Sequence, residues 1–517
     1  MAWTLYSLGF VGTVVALAGW FYFYKDEAIS KFFRIGLFTA LGLYFISFPL
    51  NLGPVDLKMP VLIRDLGVMA AFGWTLQILS KNRKLMTIGL VVLSLGLYGY
   101  YHLALAKSFQ FVETNTTTES KTDISNLDPN GELLIEVADG KNVALLSKIV
   151  EKYDLSLERA FYPADDDFTD LDDYYLVNIP DHQIDQFQEV VIHLQNSGHL
   201  DWLEENELIQ LDPMEMQKTL PKVNRKFGIN DPGLQEMWGF EAMNVDQLYT
   251  YLRDNSVQPK KKAVVAILDT GVDAKHEDIN GNFVSIQSKY DNDPRGHGTH
   301  CAGIAAAVSN NGVGVASYAP NNSFVQLTSI KVLSASGMGT QQTIIKGMLE
   351  AADKGVDVIS MSLGGRSNQS RQRAYAKAVK YANDKNVIVV AAAGNSKMNA
   401  KDYSPVNAPG VIGVAAIDSD LKLASFSNFV KDIKMGLAAP GVGIYSTIPN
   451  NAYGAYNGTS MACPYVAGFI GMMKAVKPDI STKEAYQILD KTGMKTKSGN
   501  QSGHLIQPAK AFEKLLK

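Results

Sequence analysis

The sequence predicts an α/β protein. A doubly wound, mostly parallel sheet over residues 231–517 follows a small α+β unit at 131–212 and an all-α region of four membrane spans at 1–106. Three observations carry this. Apolar runs such as Ala263–Leu268 alternate with helix-like stretches through the C-terminal half, as parallel strands and their crossovers require. Residues 131–212 read strand, helix, strand, strand, helix, strand. Residues 1–106 hold four near-uniform apolar runs. Length agrees, since 517 residues are more than one domain holds. A hydrophobic content of 46% is a globular average that hides this uneven placement. A net charge of −4 gives no reason to expect nucleic acid as a partner.

The apolar runs are Ala2–Tyr24, Phe32–Leu50, Pro60–Leu79 and Leu85–Ala106. Each approaches the ~20 residues that cross a bilayer. Their uniform apolarity leaves no polar face, which argues against a soluble bundle. Arg64 and Asp65 interrupt the third run, where they can snorkel or pair with each other. Ala16-Leu17-Ala18 imitates a signal-peptidase site. No basic stretch precedes it and the run continues through Tyr24, so no cleavage is expected there. Lys25, Lys31 and Arg34 in the first connection, and Lys81, Arg83 and Lys84 in the third, put both in the cytoplasm. Both termini then lie outside. The expected place is the plasma (inner) membrane, multi-pass, with the lipid bilayer as partner and the C-terminal part extracytoplasmic. A re-entrant third run would move that part to the cytoplasm.

Residues 107–130 form a Thr-, Ser-, Asn- and Asp-rich linker. In the small unit, Gly131–Ala138, Leu155–Tyr162, Tyr174–Ile179 and Leu200–Leu211 read as strands, and Asn142–Tyr153 and His182–Asn196 as helices. That order, βαββαβ, is the ferredoxin-like plan. The acidic run Asp165–Asp173 reads as a solvated hairpin tip. Residues 213–230 are a second linker, with Pro213, Pro221 and the basic cluster Lys222, Arg225 and Lys226.

Three stretches carry chemistry. In Gly458–Pro464 (GTSMACP), Ser460 precedes apolar helix-like sequence, which places a hydroxyl at a helix N-terminus. The unpaired N–H groups there can stabilise an oxyanion formed when the serine attacks a carbonyl. A turn capping a buried helix is the plainer alternative for this stretch alone. In Ala263–Asp273 (AVVAILDTGVD), Asp269 ends a buried strand, where open α/β sheets place ligands. In Gly296–Ala307 (GHGTHCAGIAAA), His297 opens an alanine-rich helix. Serine is a poor nucleophile until a base takes its proton, and neutral imidazole suits that task near pH 7. Cys301 and Cys463 are the only cysteines, which excludes a disulfide framework. Both lie in these stretches and read as buried thiols, with a disulfide between them or a metal site as alternatives.

With the order Asp269, His297, Ser460, the chain from about Asp231 to Lys517 resembles the subtilisin-like serine proteases. The resemblance implies a membrane-anchored serine endopeptidase acting on protein or peptide substrates through an acyl-enzyme. It makes His297 the base and Asp269 the group that orients the imidazole. Asn395, closing Ala391–Asn395 (AAAGN), becomes the oxyanion donor, while His300 stays structural. It places substrate against Gly337, Met338 and Gly339 and against Ser362, Leu363 and Gly364 as an added strand. Ala393 and Gly394 complete that cleft. The Gly394–Pro405 loop resembles the proteinase K branch. It brings Asp402 near the S1 pocket, either as a determinant of Lys or Arg specificity or as a surface residue.

No cofactor is required for the chemistry. The resemblance adds a structural calcium ion, with Asp278 as ligand and the Ser309–Val315 loop supplying more. It also makes residues 131–212 the chain's own pro-domain, an inhibitor whose C-terminal tail enters the active site as a product-like strand and from which the enzyme cuts itself between Asp212 and Lys226, the alternative being a linker never cut and a permanently tethered regulator. Two rivals remain: a catalytically silent receptor or regulator on a protease fold, and a channel or transporter regulated by the protease. The intact triad argues against the first. The spans lack the broken helices and repeated charges that the second needs.

Overall fold

Residues 2–50, 55–100, 124–367 and 372–517 are described in the structure, a computed structural model of the whole chain. It divides into two compact units. One comprises Met1–Asp123, Asp139–Leu155 and Ile179–Leu203, and the other Ile124–Ala138, Ser156–Asn178 and Glu204–Lys517.

In the first unit, the apolar runs form α1 (Ala2–Tyr22), α2 (Glu27–Leu50), α3 (Val55–Leu79) and α4 (Arg83–Tyr100). Among the described residues two stretches, Glu27–Ser47 and Leu62–Leu79, are long and apolar enough to cross a membrane. Leu8–Tyr22 and Lys84–Ser94 are shorter apolar helices, and the end of the expected fourth span, 101–106, lies outside the described residues. Phe10, Tyr44, Phe72 and Leu76 pack at the centre, while Phe32 and Phe38 are each 72% exposed. The backbone crossing of α1 and α2 is close: a Cβ on Gly9 would lie 2.6 Å from Tyr44 N. Asp65 is fully buried and accepts from Arg64 Nε and Nη2 at 2.9 and 2.8 Å, the pairing anticipated for an interrupted span. The same unit contains α5 (Ser147–Tyr153) and α6 (Phe187–Gln195).

The order of elements at 131–212 follows the expectation: β1 (Leu133–Val137), α5, β2 (Ser156–Arg159), β3 (Tyr174–Asn178), α6, β4 (Leu200–Glu205). β2, β3 and β1 pair antiparallel in that spatial order. The last expected strand, Leu200–Leu211, is two strands. After β4 the chain turns at Asn206 and β5 (Leu208–Gln210) leaves the sheet. Asn206 N donates to Glu132 O at 2.8 Å, and its side-chain oxygen accepts from Gln342 N at 3.0 Å. The break is thus made by a partner far along the chain.

The second unit is built on an eight-stranded sheet. Its strands are β6 (Ala263–Asp269), β7 (Val325–Lys331), β9 (Val358–Met361), β11 (Ile388–Ala392), β13 (Val411–Ile417), β14 (Gly436–Pro440), β17 (Met494–Lys495) and β18 (His504–Leu505). Between them lie the short strands β8 (Met338–Thr340), β10 (Gly365–Arg366), β12 (Tyr403–Ser404), β15 (Ile444–Ile448) and β16 (Ala452–Tyr456). The spatial order is β17-β18-β14-β13-β11-β9-β6-β7, parallel except for the β17–β18 pair. Helices cover both faces, so continuous apolar runs such as β13 are buried throughout. The chain leaves β6 for β7 on one side and returns to β9 on the other. This switch opens a crevice at the carboxyl ends of β6 and β9.

Four helices matter for the site: α7 (His297–Ala306), α8 (Gln341–Asp353), α9 (Arg373–Asp384) and α10 (Thr459–Val476). α10 is buried along its whole length. It meets α7 without room for a side chain, since a Cβ on Gly468 would sit 2.2 Å from Ala305 O. On the other face, Tyr174, Phe161 and Leu134 share a core with Ile345 of α8 and Tyr375 of α9. Lys377 bridges Glu136 and Asp170 at 3.0 and 2.7 Å, and Arg373 reaches Glu136 at 3.1 Å. The acidic run is therefore partly engaged, with Asp172 also paired to Arg159. Glu204 closes this contact by accepting from Arg373 N and Ala374 N, at the start of α9, and from Gln341 Nε2 on α8. A carboxylate suits the donor-rich N-terminus of a helix.

Candidate active site

β6 ends on Asp269, and α7 begins on His297 after Gly296, whose φ of +92° favours glycine. Asp293 fixes this junction. One oxygen accepts from Gly296 N, Arg295 N and Thr270 Oγ1 at 2.8, 3.1 and 2.8 Å, and the other from Thr299 N and Oγ1 at 2.8 and 2.7 Å. The residue was missed in the sequence, although an acid just before a helix is a known start signal. His297 Nδ1 lies 2.8 and 2.9 Å from the two Asp269 oxygens, and both side chains are buried. A carboxylate can only accept, so Nδ1 carries the proton and Nε2 keeps its lone pair. Burial opposes charge on the imidazole. The Asp269 charge and hydrogen bond, with help from Asp293, outweigh that and raise the His297 pKa above its ordinary value.

Ser460 is the second residue of α10 and 9% exposed. Its hydroxyl donates to Ser362 O at 3.1 Å, and among the described residues no hydrogen bond joins it to His297. Pro464, four residues on, has no N–H to give Ser460 O. Ser362 Oγ supplies that bond at 2.8 Å and Cys301 Sγ approaches to 3.5 Å. Asn395 follows β11. Its Oδ1 accepts from Thr459 N and Oγ1, both at 2.9 Å, which orients Nδ2 away from them. Nδ2 donates to Asp212 Oδ2 at 2.8 Å. The bonds of Thr459 and Asp212 to Asn395 had no signal in the sequence, because each joins residues distant in the chain.

The expected cleft residues line one edge. Gly337 has φ +81° and a Cβ there would strike the Arg295 guanidinium at 2.7 Å. A Cβ on Gly339 would lie 2.5 Å from Val332 O, and one on Gly364 2.8 Å from Ser404 O. Met338 and Gly339 lie in β8, which pairs antiparallel with β5. Leu363 and Ala393 are buried, and Ala393 O accepts from Asn428 Nδ2 at 2.8 Å. Asp402 ends a short 3-10 turn, half-buried, with its carbonyl accepting from Ser367 N at 2.9 Å. The ring that faces Gly394 belongs to its neighbour Tyr403, 3.1 Å from where a Gly394 Cβ would stand.

Cys301 and Cys463 are free and buried. Cys301 Sγ, Asp269 and His297 bring ligand atoms within 4.8 Å of one another. Burial raises the Cys301 pKa well above its usual value and that of Cys463 to about 12, so both remain thiols. His300 is buried with Nε2 on Gly454 O at 3.0 Å, and burial lowers its pKa to about 3. Asp278 does not fit the calcium expectation. Its oxygens accept from Asn311 Nδ2 at 2.8 Å and Val315 N at 2.7 Å, while Gly314 O accepts from Gly233 N at 2.6 Å. Burial raises its pKa to about 7. The Ser309–Val315 loop thus presents N–H groups where a calcium cage needs 6–8 oxygens.

Residues 260–506 match the model of the subtilase family. The chain is 44% identical to thermitase of Thermoactinomyces vulgaris over 216 residues, covering 41% of this chain and 74% of the relative. It is 42% identical to subtilisin DY of Bacillus licheniformis over 235 residues, covering 44% of this chain and 82% of the relative. Subtilases need no cofactor for their chemistry. Such identity across most of each relative leaves one conclusion: the chain belongs to the subtilase family and is a subtilisin-like serine endopeptidase.

Proposed function

We propose that Asp269, His297 and Ser460 hydrolyse peptide bonds as one unit, and the observation that carries this is the buried Asp269–His297 pair. Ser460 Oγ exchanges Ser362 O for His297 Nε2. As Oγ attacks the substrate carbonyl carbon, Nε2 takes its proton and the carbonyl electrons move onto oxygen. Asn395 Nδ2 and the N–H of Ser460, in the first turn of α10, donate to that oxyanion. Collapse breaks the C–N bond, and His297 returns the proton to the departing amine. Water then attacks the acyl-enzyme by the same path. Gly337–Gly339 and Ser362–Gly364 hold the substrate backbone between them. A fluorophosphonate probe tests the assignment. It should label Ser460 and lose its target in Ser460→Ala, with labelling also lost in His297→Ala; undiminished labelling of Ser460→Ala would refute it.

The membrane part we read as a four-span anchor in the plasma (inner) membrane, with the catalytic part extracytoplasmic. The apolar stretches Glu27–Ser47 and Leu62–Leu79, the exposed Phe32 and Phe38, and the basic first and third connections support this. Residues 131–212 act as a ferredoxin-like pro-domain, supported by the βαββαβ order and by the ion pairs of Glu136 and Asp170 to α9. A cut between Asp212 and Lys226 would leave the catalytic part held only by non-covalent contacts with the pro-domain, whose later loss would free it from the anchor.

A further inference from the structure

The cleft is already filled by the chain itself. β5 runs antiparallel to β8 with Leu208, Ile209 and Gln210 opposite Thr340, Gly339 and Met338. The pairing continues as Leu211 N donates to Gly337 O at 2.9 Å. Ile209 is 2% exposed, and it and Leu211 join the core that includes Leu363 and Ala393. Asp212 is next, with its carboxylate on Asn395 Nδ2. The segment therefore lies along the edge assigned above to substrate and reaches Asn395, which holds Thr459 next to Ser460, so the bond offered to Ser460 in this reading is the one after Asp212. That bond is Asp212–Pro213.

A pro-domain tail in the cleft is what the family resemblance implies; we infer that in this chain Ser460 leaves the Asp212–Pro213 bond of that strand uncut. This rests on the roles given above to Ser460 and Asn395. Two features act against cleavage. Hydrolysis would break the bond from the Asp212 carbonyl carbon to the Pro213 nitrogen, and His297 would deliver a proton to that nitrogen. Proline carries a ring carbon there in place of hydrogen and fixes φ, so the imidazole meets a methylene and the departing chain cannot turn aside. Moreover, the Asp212 carboxylate takes the Asn395 donor that the oxyanion of its own carbonyl would need. Glu204, Asn206 and Glu207, just before the strand, anchor it in place from outside the cleft, their oxygens accepting from α8 and α9. The enzyme therefore opens when the strand is displaced. Processing further along the linker, between residues 214 and 226, is the work of a second molecule.

The test uses the full chain in detergent. Wild type should show no Ser460-dependent cut between residues 212 and 213 and slow hydrolysis of a peptide substrate. Ile209→Asp, which puts a charge in an apolar subsite, should raise that hydrolysis at least tenfold. Pro213→Ala should yield a C-terminal fragment beginning at residue 213, absent when Ser460→Ala is added. A Ser460-dependent wild-type cut at that bond, or wild-type hydrolysis as fast as in Ile209→Asp, would overturn the inference. Failure of catalysis reads differently: a folded Ile209→Asp in which Ser460 takes no fluorophosphonate overturns the roles on which the inference rests.

Discussion

Replacing Gly468 by alanine tests whether the close approach of α7 and α10 positions the nucleophile. The new Cβ would lie 2.2 Å from Ala305 O and 2.9 Å from Ala305 C and Cα, all backbone atoms that cannot rotate away. Ordinary contact begins near 3.4 Å, so the helices must separate by about 1.2 Å. His297 opens one of these helices and Ser460 lies in the first turn of the other. Overpacking of this kind costs about 1–3 kcal/mol of stability, read as roughly 2–4 °C in Tm per kcal/mol. A misplacement of about 1 Å between reacting groups lowers the rate on the order of 10²-fold. The assay is kcat on a peptide substrate alongside thermal unfolding. A variant with wild-type kcat and Tm would refute the close-packing argument. One with a lowered Tm and unchanged kcat would refute the link from helix separation to the site.

Other outcomes follow from the same geometry. The base must be neutral and its pKa is raised, so kcat/KM should climb with pH through a value above about 6.5, the unperturbed histidine value. Asp269→Asn removes the larger raising interactions and leaves burial with only the weaker Asp293 charge against it, so the climb should move to lower pH while kcat falls about 10⁴-fold; an unmoved profile would separate Asp269 from His297. Asp278→Ala orphans Val315 N and the Asn311 amide and should cost about 1–3 kcal/mol, whereas chelation should leave Tm unchanged; a Tm that drops with chelator and recovers with calcium would restore the ion. Asp402→Asn should affect cleavage after Lys and after Phe equally, while Tyr403→Ala should change their ratio, as read from paired peptide substrates. A tag at Lys517 should be accessible from outside intact cells; protection, with cytoplasmic labelling of a cysteine placed near Gln110, would invert the topology.

The three catalytic stretches were legible because each is local. A buried strand ending on Asp269, a glycine before His297 and a helix beginning beside Ser460 are written in consecutive residues. The glycines expected in the cleft have a local reason to be glycine, since a Cβ on Gly339 or Gly364 would strike backbone and Gly337 has a positive φ. What escaped depends on distant partners. Nothing in Leu200–Leu211 marks the break at Asn206, which Gln342 and Glu132 create. Tyr403 shows its place only once the loop is folded against Gly394. Asp278 misled for the opposite reason: the residue is where the resemblance puts a calcium ligand, but the Ser309–Val315 loop turns amides toward it.

The central claim is that a carbonyl group is transferred to Ser460 with His297 as base. The most direct measurement is to trap the acyl-enzyme from an activated ester at low pH in the Ile209→Asp chain and map the added mass by peptide sequencing. The acyl group should sit on Ser460, within Gly458–Pro464, and be absent from the same chain carrying His297→Ala. An acyl group on another residue, or hydrolysis that continues with none on Ser460, would contradict the account.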